Sequence, residues 1–511
     1  MNKKKIIILG SILAATLAVN AQQINPLTLS VINSYTEMLQ LDPKDYMSYF
    51  QRGTEYYNLG ELAKAEEDLL NAIKYTPAKE NSFLEKEYSL LSDIYIKRNQ
   101  NDKALEALRE ALKADPNSYP SRYKLGNLYL AMNRPEEAYN MFRSLMNLKS
   151  RSQEGYFGMA QAAAALGRPQ EVEELIKEVT NADLNSYLTY LRVGKLYELL
   201  GQNDRAAANY LIAYNMAENS SSPVDSLFEL ASKDYNTVCS AIDQLIAASP
   251  ENGVPHYLKA SIAFDNQDYA TAIKECKTIL GLEDGQQPFI YSLLALSELY
   301  SGDTALALSD INKAVSLDPN NISLLNNQAA ILMESDPALA AQVAEKALKI
   351  DGSDLTSIML AAKAYYMTGD GQKALQMLNN AIMTDPSNVE AILLRGDVNA
   401  NLIKDAKQAA ADYTRAGTVE ASDSFSKAAK ALAKYKAGKA MDAESIVAEM
   451  INGNPDADTL YCIATYYAQT GNLDKAKEMA DKAVAKGYKN QYYLKHSSQP
   501  VLNLKPIHNL L

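Results

Sequence analysis

Tryptophan is absent from the 511 residues, and only three cysteines and three histidines occur. Cys239, Cys276 and Cys462 are odd in number and show no CxxC spacing, which excludes a fully paired disulfide framework. Each falls in an apolar helical pattern, where a thiol acts as a small hydrophobe, so three buried thiols are expected. A Cys239–Cys276 bridge stays open, because sequence does not give the Cβ separation. His256, His496 and His508 are far apart along the chain. There is no HExxH, no GxxxxGK[ST], no GxSxG beyond the N-terminal segment, and no GxGxxG after a strand. Acidic runs such as Glu66-Glu67-Asp68 read as solvated helix faces. No catalytic residue, metal ligand or cofactor is therefore expected.

Long apolar runs are also missing, with one exception. Lys3, Lys4 and Lys5 precede an apolar stretch at 6–19, and Val19-Asn20-Ala21 offers a cleavage point. These three regions predict a secretory signal peptide over 1–21, with Gln22 as the mature start. The stretch is short for a bilayer span, and nothing later is long and apolar enough to be one. The expectation is an exported protein of the periplasm or cell envelope, at the cell surface or secreted. Without the three leader lysines, 47 basic residues face 62 acidic ones, a formal charge of −15. Such a surface repels phosphate backbones, so a nucleic-acid partner is not expected.

What is present is a repeat. The stretch 46–77, YMSYFQRGTEYYNLGELAKAEEDLLNAIKYTP, reads as two helices around a tight turn. Gly60 suits a positive φ at the turn, and Ala65, Leu69 and Ala72 mark one face of the second helix. Ala65, Ala104, Ala138, Val172 and Ala206 then recur at gaps of 39, 34, 34 and 34 residues. Ala272, Ala307, Ala374, Ala443 and Ala476 continue the series through weaker units.

These residues resemble the tetratricopeptide repeat family. Tyr49, Gly53, Tyr56, Gly60, Ala65, Leu69, Ala72 and Pro77 follow the family's pattern in order, as do Tyr190, Gly194, Tyr197, Gly201, Ala206, Tyr210 and Ala213. Ala464, Tyr467, Gly471, Ala476 and Ala483 carry it near the C-terminus. The resemblance implies an all-α, right-handed α-solenoid superhelix of about thirteen helix pairs with terminal capping helices. The units near 219, 389 and 424 match poorly. The boundaries read as a signal peptide at 1–21, an N-terminal capping helix at 22–45, and an N-terminal array at 46–218. A C-terminal array then occupies 219–487 and a C-terminal cap 488–511. The polar break Asn219-Ser220-Ser221-Ser222-Pro223 is either a joint or an ordinary loop.

In the family, first helices line a concave surface that binds peptides or folded proteins. The matching stripe here is Phe50, Thr54, Tyr57, Tyr123, Asn127, Leu130, Phe157, Gln161, Tyr257 and Phe264. It is aromatic and polar-neutral, suited to a peptide held by apolar pockets and a few amide hydrogen bonds. Packing against neighbouring helices is the competing reading for any one aromatic. The family's lysine–asparagine clamp for a C-terminal carboxylate is not supported, because Ser89 and Tyr123 stand where basic residues are needed. The expected function is a non-catalytic protein-interaction scaffold of a bacterial cell envelope, with protein or peptide partners and peripheral association with outer-membrane proteins. A glycan-binding surface protein and a self-associating structural protein are the alternatives.

Overall fold

The computed structural model describes residues 26–490 except 149–151, 219 and 334. The leader at 1–21 and nearly all of the cap at 488–511 lie outside the described residues. Among the described residues are twenty-six α-helices, one five-residue π-helical turn and no strand. Each helix packs most extensively on its neighbours in sequence, as a solenoid of helix pairs requires. No described helix is long and apolar enough to cross a membrane.

Local chemistry sets the punctuation. Most first helices begin at a side chain that accepts a backbone N–H, among them Asp45, Ser118, Ser152, Asn252, Asp354, Asn388 and Asp456. Such caps satisfy donors that an α-helix leaves open at its N-terminus. The turn inside a pair takes a left-handed residue: Gly60, Gly201 and Gly369 do so at φ +77°, +70° and +82°. The same slot holds Asn99, Asn133, Gln267 and Lys404, all at positive φ. The turn geometry thus persists where glycine does not. For lysine this conformation is strained, so Lys404→Gly is expected to stabilise by about 0.5–1 kcal/mol in urea unfolding.

Alanines of the repeat pattern are buried at the helix crossings, Ala65, Ala104, Ala138, Ala206 and Ala272 among them. Glycine goes further where an aromatic ring must lie against backbone. A Cβ at Gly194 would come within 2.4 Å of the Tyr210 ring, and one at Gly396 within 2.6 Å of Tyr413.

The poorly matching units have specific structures. Helix Ser222–Ala248 contains a kink at Asp234 (φ −147°, ψ 69°), so it is two helical segments, 222–233 and 235–248, joined at one residue. The Asp234 carboxylate accepts from Asn203 Nδ2 at 3.0 Å and from Thr237 N at 3.3 Å. The Asn203 bond is the main cause of its lowered pKa. In the unit near 389, helix Val389–Val398 runs into the π-helical turn Asn399–Ile403 before Ala406–Ala416. That turn absorbs an inserted residue. The unit near 424 is a regular pair, Ser424–Lys436 with Ala440–Asn452.

The described residues form two compact units, one ending at Ala241 and the other beginning at Ile242. Their boundary falls within helix Ser222–Ala248. In the first unit, helix Pro26–Leu41 packs on Tyr46–Asn58 and buries Ile32 and Leu39. Leu29 on the same helix is 47% exposed. The three cysteines form no disulfide. Cys276 is buried, whereas Cys239 and Cys462 are only half-buried, which corrects the expectation of three buried thiols.

One buried carboxyl has a pH signature. Glu87 is fully buried, its Oε1 accepts the Thr76 hydroxyl at 2.6 Å, and its other oxygen has no hydrogen-bond partner. Burial raises its pKa from 4.5 to about 7. A raised carboxyl favours the folded state in full below pH 4.5, and that contribution is lost as the pH climbs towards 7. Glu87→Gln is therefore expected to raise Tm at pH 8 and to give no gain at pH 4, read by thermal melts at both.

Candidate partner-binding face

Successive first helices touch one another in both units: Tyr46–Asn58 with Asn81–Lys97, and Gln153–Ala165 with both Tyr119–Ala131 and Tyr187–Leu199. Second helices of neighbouring pairs pack together less. First helices therefore form the inner face of each array.

In the first unit that face is partly open. Phe50 packs edge-on against Phe83 at 5.3 Å between ring centroids, and its remaining surface is accessible. Thr54 is half-buried and spends its hydroxyl on Phe50 O at 2.8 Å. Tyr57 carries Lys97 Nζ 3.9 Å above its ring. Tyr123 contacts Phe142 at 6.0 Å, and Arg192 lies 6.0 Å from the Phe157 centroid. Asn127, Leu130 and Gln161 are half-buried on the same stripe.

Four further residues were not legible as lining and are more exposed than any of these: Met47 at 51%, Ile96 at 37%, Leu188 at 40% and Leu199 at 55%. Each lies at a first-helix position that faces inward in the repeat register. The available signal was an apolar residue one helical turn beyond the motif positions. Lys124 crosses between two helices of this face, donating to Ser89 Oγ at 2.9 Å and Asp93 Oδ2 at 2.6 Å.

The second unit differs. Tyr257 is 1% exposed and packs edge-on against Phe289 at 5.3 Å, so it offers no surface to a partner in this conformation. Phe264 stacks on Tyr300 at 5.6 Å and meets Tyr269 at 5.8 Å. Corresponding inward positions, Ser261, Leu296, Leu393, Leu432 and Thr465, are also buried. The first and last pairs of this unit meet: Gln267 Nε2 donates to Asp458 Oδ1 at 3.4 Å, and Lys489 N donates to Gln267 Oε1 at 2.8 Å. Tyr488 stacks on the inward-facing Tyr461 at 4.4 Å. Most of the inner face here is used for the unit's own packing, while Met367 and Tyr435 on its first helices stay exposed at 37% and 40%. His256 likewise has a structural role, with Nδ1 2.6 Å from Glu275 and Nε2 3.2 Å from Pro250 O. Among the described residues, no three His, Cys, Asp or Glu side chains converge as a metal site.

A solenoid of helix pairs is the architecture of a protein-interaction scaffold. Residues 48–79 and 95–149 match models of the tetratricopeptide repeat, and residues 245–401 match a model of ChAPs, the Chs5p-Arf1p-binding proteins. The chain is a member of the tetratricopeptide repeat family. No curated relative matches by sequence. Among solved structures, yeast Tom70 is 14% identical, with 88% of this chain and 94% of that chain covered and a TM-score of 0.38. MamA is 20% identical, covering 30% of this chain and 85% of that one, at 0.27. YrrB, described as a TPR protein with an unusual peptide-binding site, is 16% identical, covering 38% of this chain and 98% of that one, at 0.29.

Proposed function

We propose that this protein is a non-catalytic scaffold of a bacterial cell envelope that holds peptide or protein partners against the first helices of its N-terminal unit. One observation carries the reading: large apolar side chains on the first helices of that unit are exposed, whereas most inward positions of the other unit are buried, Met367 and Tyr435 excepted. Met47, Ile96, Leu188 and Leu199 keep 37–55% of their surface exposed on that face. The basic, apolar and cleavage-site regions of residues 1–21 support export.

Crosslinking in the intact envelope tests the scaffold role. Defined partners are expected to be recovered with the native chain, and to be lost when Met47, Leu188 and Leu199 are changed together to serine. These exposed positions should each change stability by no more than about 0.5 kcal/mol, so loss of partners would not reflect unfolding. Undiminished recovery would place binding elsewhere. N-terminal sequencing of the fractionated protein tests export: Gln22 is the expected first residue, and a chain retaining Met1 in the cytoplasmic fraction would reject it.

A further inference from the structure

The accessible face of the N-terminal unit has a charge opposite to that of the whole chain. Across its five regular first helices, Tyr46–Asn58, Asn81–Lys97, Tyr119–Ala131, Gln153–Ala165 and Tyr187–Leu199, the exposed charged side chains are Lys86, Lys97 and Lys195. The acidic side chains on these helices are buried or half-buried, and all but Glu55 are tied to partners. Asp93 pairs with Lys124 at 2.6 Å. Glu154 accepts from Tyr119 Oη at 3.0 Å and pairs with Arg192 at 3.4 Å. Glu198 accepts from Tyr210 Oη at 2.7 Å and Lys233 Nζ at 3.0 Å. Glu85 is taken by the hydroxyls of Ser118 and Ser121, each at 2.5 Å, and Glu87 by Thr76. Exposed acids lie instead on the second helices, Glu67, Glu106, Glu137 and Glu174 among them. In this unit of a chain of formal charge −12, the first helices thus expose lysines and no carboxylate, whereas the second helices expose both signs, Lys64, Lys103, Arg109 and Lys177 beside the acids.

The lysines alternate with the exposed apolar residues. Lys86, Ile96 and Lys97 share one helix near the start of the unit, and Leu188, Lys195 and Leu199 share one near its end. Between them lie neutral aromatic and amide groups, Tyr123, Asn127, Phe157 and Gln161. We infer that this face binds a segment of another protein that interleaves apolar and acidic side chains, with acids towards both ends. The inference rests on the scaffold reading and specifies its occupant. Apolar contacts supply the area, and carboxylates opposite the lysines supply register and steering. The chain's own residues 491–511 fit poorly, since they carry Lys495 and Lys505 and no acidic residue.

Fluorescence anisotropy of the full-length secreted chain with labelled peptides provides the test. The probes are an amphipathic peptide of leucine, serine and glutamate, and two counterparts with every glutamate changed to glutamine or lysine. A single-stranded oligonucleotide is the fourth probe. The acidic peptide is expected to bind at least about tenfold tighter than the lysine peptide, with the margin shrinking as salt is raised. Combining Lys86→Glu, Lys97→Glu and Lys195→Glu should reverse the preference, with the thermal melt unchanged. Equal binding of acidic and neutral peptides, an unchanged preference in the triple variant, or binding to none of the peptides would overturn the inference. So would tighter binding of the oligonucleotide, or self-association that the triple variant abolishes, since each names a different occupant. The scaffold reading fails separately, if crosslinking recovers no defined partner.

Discussion

Replacing Phe142 with alanine is expected to destabilise the N-terminal unit by about 3–5 kcal/mol. The ring is fully buried and makes contacts that no smaller side chain can reproduce. Gly126, in its own pair, and Gly158, in the next, both lie flat against it. A Cβ at either would approach ring carbons to 2.6 or 2.4 Å. Tyr123 adds an edge contact at 6.0 Å. Truncation therefore empties space lined by two helix backbones, which have little freedom to close it. Because each repeat is held mainly by its neighbours, the loss falls on the junction between two pairs. Urea unfolding followed by circular dichroism should show a lower midpoint and a broader transition. Gly158→Ala should cost about 1–3 kcal/mol by overpacking. In the double variant the two costs should not add, because alanine at 142 removes the ring that the new Cβ meets. A loss below about 1 kcal/mol for Phe142→Ala, or additive costs in the double variant, would show that the ring is not wedged as described.

The repeat residues were legible because they answer a steric demand that recurs. An alanine at most helix crossings and a glycine at many tight turns leave a period that composition cannot hide. The turns at Asn99, Asn133, Gln267 and Lys404 escaped this reading, since a non-glycine residue at positive φ has no reliable sequence mark. The unit near 389 looked irregular for a different reason. One inserted residue displaces its second helix from the expected register, and the π-helical turn Asn399–Ile403 restores the packing beyond it. The candidate face was legible only in part. Phe50, Tyr57, Tyr123 and Phe157 lie where the repeat register predicted, on helices that retain access to solvent. Tyr257 occupies the same register but is buried. Register fixes which way a side chain points within its pair. It does not fix how tightly successive pairs close around it, and that depends on contacts such as Gln267–Asp458, far apart in sequence.

That distinction separates two uses of one architecture. In the C-terminal unit, Leu393 and Leu432 are buried and the first and last pairs are hydrogen-bonded. A partner seeking those positions would have to break existing packing first. The N-terminal unit imposes no such cost at Met47, Ile96, Leu188 or Leu199, whose apolar surface already meets water.

Asp412→Ala is expected to cost about 3–5 kcal/mol, because it would leave a largely buried guanidinium without its counter-ion. The side chain of Asp412 is 2% exposed. It accepts from Arg395 Nε at 3.1 Å and Nη2 at 2.6 Å, from Asn399 Nδ2 at 3.1 Å, and from Gln408 Nε2 at 3.2 Å. Arg395 Nη1 continues to Asn379 on the preceding second helix at 2.8 Å. This lock ties three helices together across the π-helical turn. The same lock occurs at the other end of the chain, where Arg52 grips Asp68 through Nε at 2.8 Å and Nη2 at 2.7 Å. There Arg52 Nη1 reaches Thr36 at 3.1 Å, so helix Pro26–Leu41 stands where the preceding second helix stands in the other lock. The two locks should fail differently. Asp68→Ala acts at the end of an array, where fraying of helix Pro26–Leu41 can relieve the unpaired charge. Its main signature should be faster hydrogen exchange in that helix, with a smaller shift in the global midpoint. Asp412→Ala acts inside the C-terminal array, where the π-helical turn cannot open without disturbing a pair on each side. Its signature should be a lowered urea midpoint for that unit and loss of exchange protection across Val389–Ala416. Asp412→Asn keeps the shape and two acceptor contacts, so it should recover part of the loss. A midpoint unchanged by Asp412→Ala would mean that Arg395 is paired by Asn379 or solvent well enough without it.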